Sequence, residues 1–170
     1  MDRTRMLLIV TAVAGVALPG SASVGTQSRT KAAAAKPAQP SATPADFVRA
    51  RMAGMHMAAT LNAQGIQPRA KGNGALKDVH WPEGIELWAA AIPGLFPEGS
   101  AHPQSRAKPE IWKNKADFDA KAKALGEAAA RLTAAGKAED LKAYAAAAEQ
   151  LNAACKACHT LYRAERTPGS

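Results

Sequence analysis

The chain has 170 residues, 47% of them hydrophobic but only 5% aromatic, with two cysteines and a formal net charge of +8. That length suits one ordinary domain, and apolar content supplied largely by alanine favours close-packed helices over sheets. The basic residues are scattered and not interleaved with aromatics, which argues against nucleic acid and leaves an acidic partner protein, an anionic surface or plain solvation.

Residues 1–23 read as a secretory signal peptide. Arg3 and Arg5 form a charged start, Met6 to Leu18 is an apolar run of 13 residues, and Pro19-Gly20-Ser21-Ala22-Ser23 offers small residues for cleavage. The apolar run is too short to span a bilayer comfortably, so cleavage is expected and an uncleaved anchor is the alternative. Export to the periplasm follows from this reading. Residues 24–44 read as a linker: from Lys31 to Pro44 there is no large apolar side chain, and such a segment cannot bury enough surface to offset its ordering entropy.

The domain is expected over residues 45–170. A first helix should start near Thr43-Pro44-Ala45-Asp46, with Thr43 as cap, Pro44 in the first turn and Asp46 complementing the dipole. Its predicted apolar stripe is Val48, Met52, Met55 and Ala59, bordered by His56, with Met57 off it. Gly65, Pro68, Gly72 and Gly74 predict a loop over 65–74. A second helix is expected from Trp81-Pro82-Glu83 through Ile85, Trp88 and Ile92, ended by Pro93-Gly94. The proline-rich stretch 93–109 predicts a long irregular crossover, a length that usually has a reason, such as wrapping a cofactor edge.

The third helix is predicted from about Pro109, with a stripe of Ile111/Trp112, Phe118, Ala122, Leu125, Ala129 and Leu132, and Gly136 as its stop. The fourth carries Leu141, Tyr144, Ala148, Leu151, Cys155, Cys158/His159 and Tyr162. The last part of that stripe is the most informative run in the chain. Cys155-Lys156-Ala157-Cys158-His159 is the attachment signature of c-type haem, and it holds both cysteines. Two thiols add to the porphyrin vinyl groups as thioethers, and the imidazole reaches the iron. Residues at i, i+3 and i+4 share one helix face, and here that face is the one predicted to be buried. A thioredoxin-type pair would need a βαβ surround that the sequence lacks. Structural zinc would be one ligand short. The fold class expected is therefore all-α: an antiparallel four-helix bundle with one covalently attached haem c.

With its haem motif near the C-terminus, the sequence resembles the cytochrome c′ family, the class II c-type cytochromes. Leu95-Phe96-Pro97, Lys108-Pro109-Glu110-Ile111-Trp112 followed by Phe118, and the run from Cys155 to Arg163 carry the likeness. It covers residues 45–166, more closely from 93 onward. The resemblance implies Cys155 and Cys158 as thioether residues and His159 as proximal iron ligand. It also implies two subgroups, divided by the other iron face. Low-spin members, of the cytochrome c-556 kind, place a methionine there and transfer electrons; high-spin members leave the face open and bind NO or CO.

In the first helix Met52 aligns with the position that divides the subgroups, and Met55 is the alternative. A thioether stabilises ferrous iron and raises the potential into an electron-carrier range. Methionine as flexible core filler is the plain reading of both. Electron transfer at a His159/Met52 iron is the expected function, with a gas-binding open site second. A bis-histidine site through His56 is less favoured because His56 borders the stripe. A copper site from Met52, Met55, His56 and Met57 would need ligands on two helix faces. Arg163 is expected to tune the haem electrostatically or to complement the helix dipole. The partners expected are a redox protein, with an acidic surface in view, and a second copy of the chain. No nucleophile–base pair or carboxylate dyad falls on a shared core position, so no enzymatic activity is expected.

Overall fold

A computed structural model describes residues 41–166. The predicted signal peptide and most of the predicted linker lie outside the described residues. Thr43 opens helix α1 (Pro44–Thr60) through a reciprocal cap: Asp46 N–H donates to Thr43 Oγ1 at 3.3 Å, and Thr43 N–H donates to Asp46 Oδ2 at 2.8 Å. The rod then runs on through a π-helical segment (Leu61–Ile66) into α2 (Gln67–Ala70).

This corrects the loop expected from residue 65. Gly65 is not a breaker but a contact: the Trp81 ring lies so close that an added Cβ would sit 2.1 Å from it. Pro68 follows the change of register at which Gln67 N–H donates to Asn62 C=O, a place where a missing N–H is tolerated. The turn comes later, at Gly72 (φ 82°) and Gly74 (φ 100°).

Helix α3 (His80–Ala91) holds the Trp81-Pro82 start and tightens into a 3₁₀ turn (Ile92–Leu95) at Pro93. After the irregular crossover come α4 (Glu110–Lys113) and α5 (Lys115–Lys137). The single third helix expected is thus broken at Asn114 (φ −122°, ψ 48°). Gly136 does not stop α5; it is buried against the carbonyl of Leu76, 2.6 Å from where a Cβ would stand. The reversal falls on Glu139, at φ 51°. Asp140 then caps α6 (Leu141–Tyr162), accepting from Ala143 N–H at 2.9 Å.

These rods form a four-helix bundle: α1 with α2, α3, α4 with α5, and α6. The three residues between α5 and α6 make them antiparallel neighbours. One apolar cluster centres on Ile66, Ile85, Leu132, Tyr144 and Leu151; a second centres on Trp88, Ile92, Phe96, Ile111, Phe118 and Tyr162. Each such large side chain contributes roughly 1.5–3 kcal/mol by leaving water. In the second cluster Phe96 meets Phe118 edge-on at 4.8 Å between centroids, and Phe118 meets Tyr162 at 5.3 Å and 89°.

The stripes of α5 and α6 follow the expected ones, with Phe118, Ala122, Ala129, Leu132, Tyr144, Ala148, Leu151 and Tyr162 buried, except that Leu141, in the first turn of α6, is 44% exposed. The stripe of α1 does not follow its expected one. Its buried residues are Val48, Arg51 and Gly54, while Met52 is 53% exposed. The helix is turned because a cation goes inside. Arg51 Nε–H donates to Leu95 C=O at 2.7 Å and Nη1–H to Ser100 C=O at 3.1 Å, while Nη2–H bonds Ser100 Oγ. The guanidinium also lies over the Phe96 ring, 4.1 Å from its centroid. Gly54 is needed next to it, since the Trp88 ring occupies the space of a Cβ.

Candidate haem site

The last turns of α6 carry Cys155, Cys158 and His159, all half-buried, and both thiols are free. Cys158 packs against the second cluster. Burial pushes both thiols above their ordinary range, and the neighbouring Cys155 sulfur pushes Cys158 further. His159 moves the other way. Burial lowers its pKa first, and the nearby charges of Arg163 and then Arg106 lower it further. Its ring nitrogens thus stay uncharged near neutral pH, so a lone pair is free for a metal.

This donor set fits a haem c: two protonated thiols for thioether bonds and one neutral imidazole, on one face of one helix. Among the described residues no group of three His, Cys, Asp or Glu side chains could hold a metal ion by itself.

Two features keep the end of α6 in place. Residues 106–108 run beside it, with Lys108 N–H donating to Tyr162 C=O at 3.0 Å and Ala164 N–H to Arg106 C=O at 2.8 Å. The Arg106 side chain adds two bonds to Ala164 C=O, at 2.9 and 2.6 Å. In addition, Tyr162 donates its phenolic hydrogen to Asp117 Oδ2 at 2.5 Å. Trp112 Nε1–H donates to Pro97 C=O at 2.8 Å and pins the crossover to α4.

The remaining candidates separate. Met55 is half-buried and packs against the second cluster, as Cys158 does. Met52, His56 and Met57 are exposed, so the four soft side chains of α1 do not share a face. Arg163 is the C-cap of α6; its N–H donates to His159 C=O at 3.1 Å and its side chain is exposed. Sequence reasoning assigned no role to Arg51 or Arg106. Arg51 does fall in phase with Val48 and Ala58 on the inner face, a signal visible in the spacing. Nothing local marks Arg106, whose partner lies 58 residues away.

A four-helix bundle with a haem-attachment motif on the inner face of its last helix defines a c-type cytochrome of the helical-bundle class. Residues 46–163 match the family model described as Cytochrome C′, and the chain belongs to the cytochrome c′ family. Its cofactor is covalently attached haem c.

Among curated relatives, cytochrome c′ of Alcaligenes xylosoxydans xylosoxydans is 40% identical over 79 residues, 46% of this chain and 57% of that protein. A cytochrome c-554 of Cereibacter sphaeroides is 43% identical over 80 residues, 45% of this chain and 52% of its own. A cytochrome c-556 of Agrobacterium tumefaciens is 42% identical over 82 residues, 48% and 66% respectively. The aligned stretches thus span between about half and two thirds of these relatives. Among solved structures, ferric cytochrome c prime from Alcaligenes xylosoxidans has a TM-score of 0.68 at 30% identity and covers 75% of this chain and 100% of its own. The nitric oxide complex of a mutant of the same protein scores 0.67 at 30% identity, with the same coverage.

Proposed function

We propose that this chain is an exported one-electron carrier. When bound, haem c supplies the Fe(II)/Fe(III) couple. Cys155 and Cys158 hold it by thioether bonds, and His159 presents a neutral imidazole to one side of the iron. A methionine of α1 serves the other side. The observation that carries this reading is the inward packing of Met55 on the cluster that also receives Cys158. Met55 is therefore preferred to Met52, which is 53% exposed. Arg163 and Arg106 hold positive charge beside His159, which disfavours the ferric state and raises the potential. Export to the periplasm rests on the signal-like residues 1–23. Among the described residues no helix is long and apolar enough to cross a membrane.

The second reading, a gas-binding cytochrome with an open sixth position, is favoured by the structural relatives, which include nitric oxide and carbon monoxide complexes of variants of cytochrome c prime from Alcaligenes xylosoxidans. The optical spectrum of the reduced, purified holoprotein with and without CO separates the two. A sharp low-spin spectrum that CO leaves unchanged is expected of the carrier. A broad high-spin spectrum that converts on adding CO would replace it with the gas-binding reading.

A further inference from the structure

The charge of this molecule is not spread evenly. Residues 41–166 contain 17 Lys and Arg against 13 Asp and Glu. Arg106, Lys108, Lys156, Arg163 and Arg166, with Glu165 the one acid among them, account for that whole excess: residues 105–108 and 156–166 carry +4 and the remainder is neutral. The chain does not bring these two segments together by sequence. The pairing of 106–108 with the end of α6 does so, through the Lys108–Tyr162 and Ala164–Arg106 backbone bonds.

None of the five cations has a carboxylate partner, whereas half of the twelve other cations among the described residues do. Those six are Arg49, Arg69, Lys115, Lys121, Lys123 and Lys137. Arg106 and Lys108 instead meet the neutral carbonyls of Ala164 and Thr160, which fix their position and leave their charge uncompensated. Arg106, Lys156, Arg163 and Arg166 are exposed. Leu161, 49% exposed on the same last turns, adds an apolar contact of the kind found inside polar interface rims.

We propose that this end of the bundle is the docking surface for an acidic electron-transfer protein, which Arg106, Lys108, Lys156, Arg163 and Arg166 draw to within a helix turn of His159. The proposal rests on the electron-carrier reading and adds the partner's chemistry and the place it binds. Unpaired cations of one sign around the exit of a redox centre raise the encounter rate of an oppositely charged partner and discriminate against a like-charged one. A protein fits better than a membrane, because the patch is small and no membrane-crossing helix stands beside it among the described residues.

The test uses the full-length ferrous holoprotein and stopped-flow oxidation. One electron passes from the protein to the probe, which is hexacyanoferrate(III), tris(phenanthroline)cobalt(III), or the Cu(II) form of plastocyanin, an acidic copper protein. The double variant Lys156→Gln/Arg166→Gln removes two patch charges. The control Lys71→Gln/Lys142→Gln removes two exposed charges at the other end of α6, where Lys142 lies about 20 Å along the helix from Lys156. The expected result is that hexacyanoferrate(III) and plastocyanin rates fall about tenfold between low and high ionic strength. The patch variant should lose about three- to tenfold at low salt, the control less than about twofold, and the cobalt complex should show the opposite salt trend.

Equal losses in patch and control variants, or salt trends that ignore the probe's charge, would overturn the docking surface while leaving the carrier intact. Failure of the protein to exchange electrons with any of the three probes would sink the carrier reading, and this proposal with it. Patch-dependent retention on phosphatidylserine vesicles at physiological salt, with no patch effect on plastocyanin, would overturn it in favour of a membrane surface.

Discussion

The phenol of Tyr162 and the carboxylate of Asp117 meet at 2.5 Å, tying the last residue of α6 to the first turn of α5 three residues beyond His159. The bond, with burial, pushes the phenol up to about 12 from its usual value near 10. A folded pKa above the unfolded one means that the stabilisation is complete below pH 10 and is lost as pH rises through 12. Tyr162→Phe should therefore destabilise the holoprotein by about 1–2 kcal/mol at neutral pH, less than a fully buried charged hydrogen bond because Asp117 is exposed. In guanidinium titrations the gap between wild type and variant should stay flat to pH 10 and close above 12. A gap that persists at high pH would mean that ring packing, not the hydrogen bond, is lost.

The inward turn of Met55 gives a paired experiment. Met55→Ala should convert the reduced spectrum to a high-spin form that takes up CO, while Met52→Ala should leave it unchanged. The reverse pattern would assign the iron ligand to Met52. No change in either variant would leave the sixth position without a methionine.

Arg51 is 4% exposed and bonds only neutral groups at Leu95 and Ser100. Burial lowers its pKa, yet the guanidinium remains far too basic to lose its proton near neutrality. Arg51→Ala strands buried carbonyls on the crossover and should cost about 2–4 kcal/mol. Arg51→Lys should rescue only a small part, because an ammonium cannot reach three acceptors in a planar fork. Urea midpoints of the three proteins check the order; full rescue by lysine would mean that charge alone matters.

Gly54 faces the Trp88 ring with no room for a methyl group; a Cβ would stand 2.1 Å from two ring carbons. Gly54→Ala should lower stability by about 1–3 kcal/mol by overpacking, despite alanine's better helix propensity. Combining it with Trp88→Leu should recover much of that loss. A Gly54→Ala protein as stable as wild type would show that the two helices can separate at little cost.

Helices α5 and α6 were legible because their inner faces are apolar at regular spacing, and the haem motif falls in phase with one of them. What escaped the sequence has a common physical cause. Gly65 and Pro68 look like breakers, but glycine there makes room for Trp81, and the local change of hydrogen-bond register absorbs the proline. Arg51 looks like a solvated residue, and only Leu95 and Ser100, 44 and 49 residues away, supply the acceptors that draw it inside. Turning Arg51 in turns Met52 out and Met55 in, so a contact distant in sequence decided which thioether faces the cluster. Tertiary partners of this kind leave no periodic mark in a single chain.

The turn that joins α5 to α6 has a consequence for the order of assembly. Only Ala138, Glu139 and Asp140 separate the two helices, so closing that hairpin carries a low entropic cost and should be fast. Both thiols and the imidazole ride on its second arm. The attachment face therefore exists as soon as the hairpin forms, before α1 and α3 have docked. Covalent maturation thus does not require the bundle to have closed, because the attachment face belongs to a hairpin of low contact order.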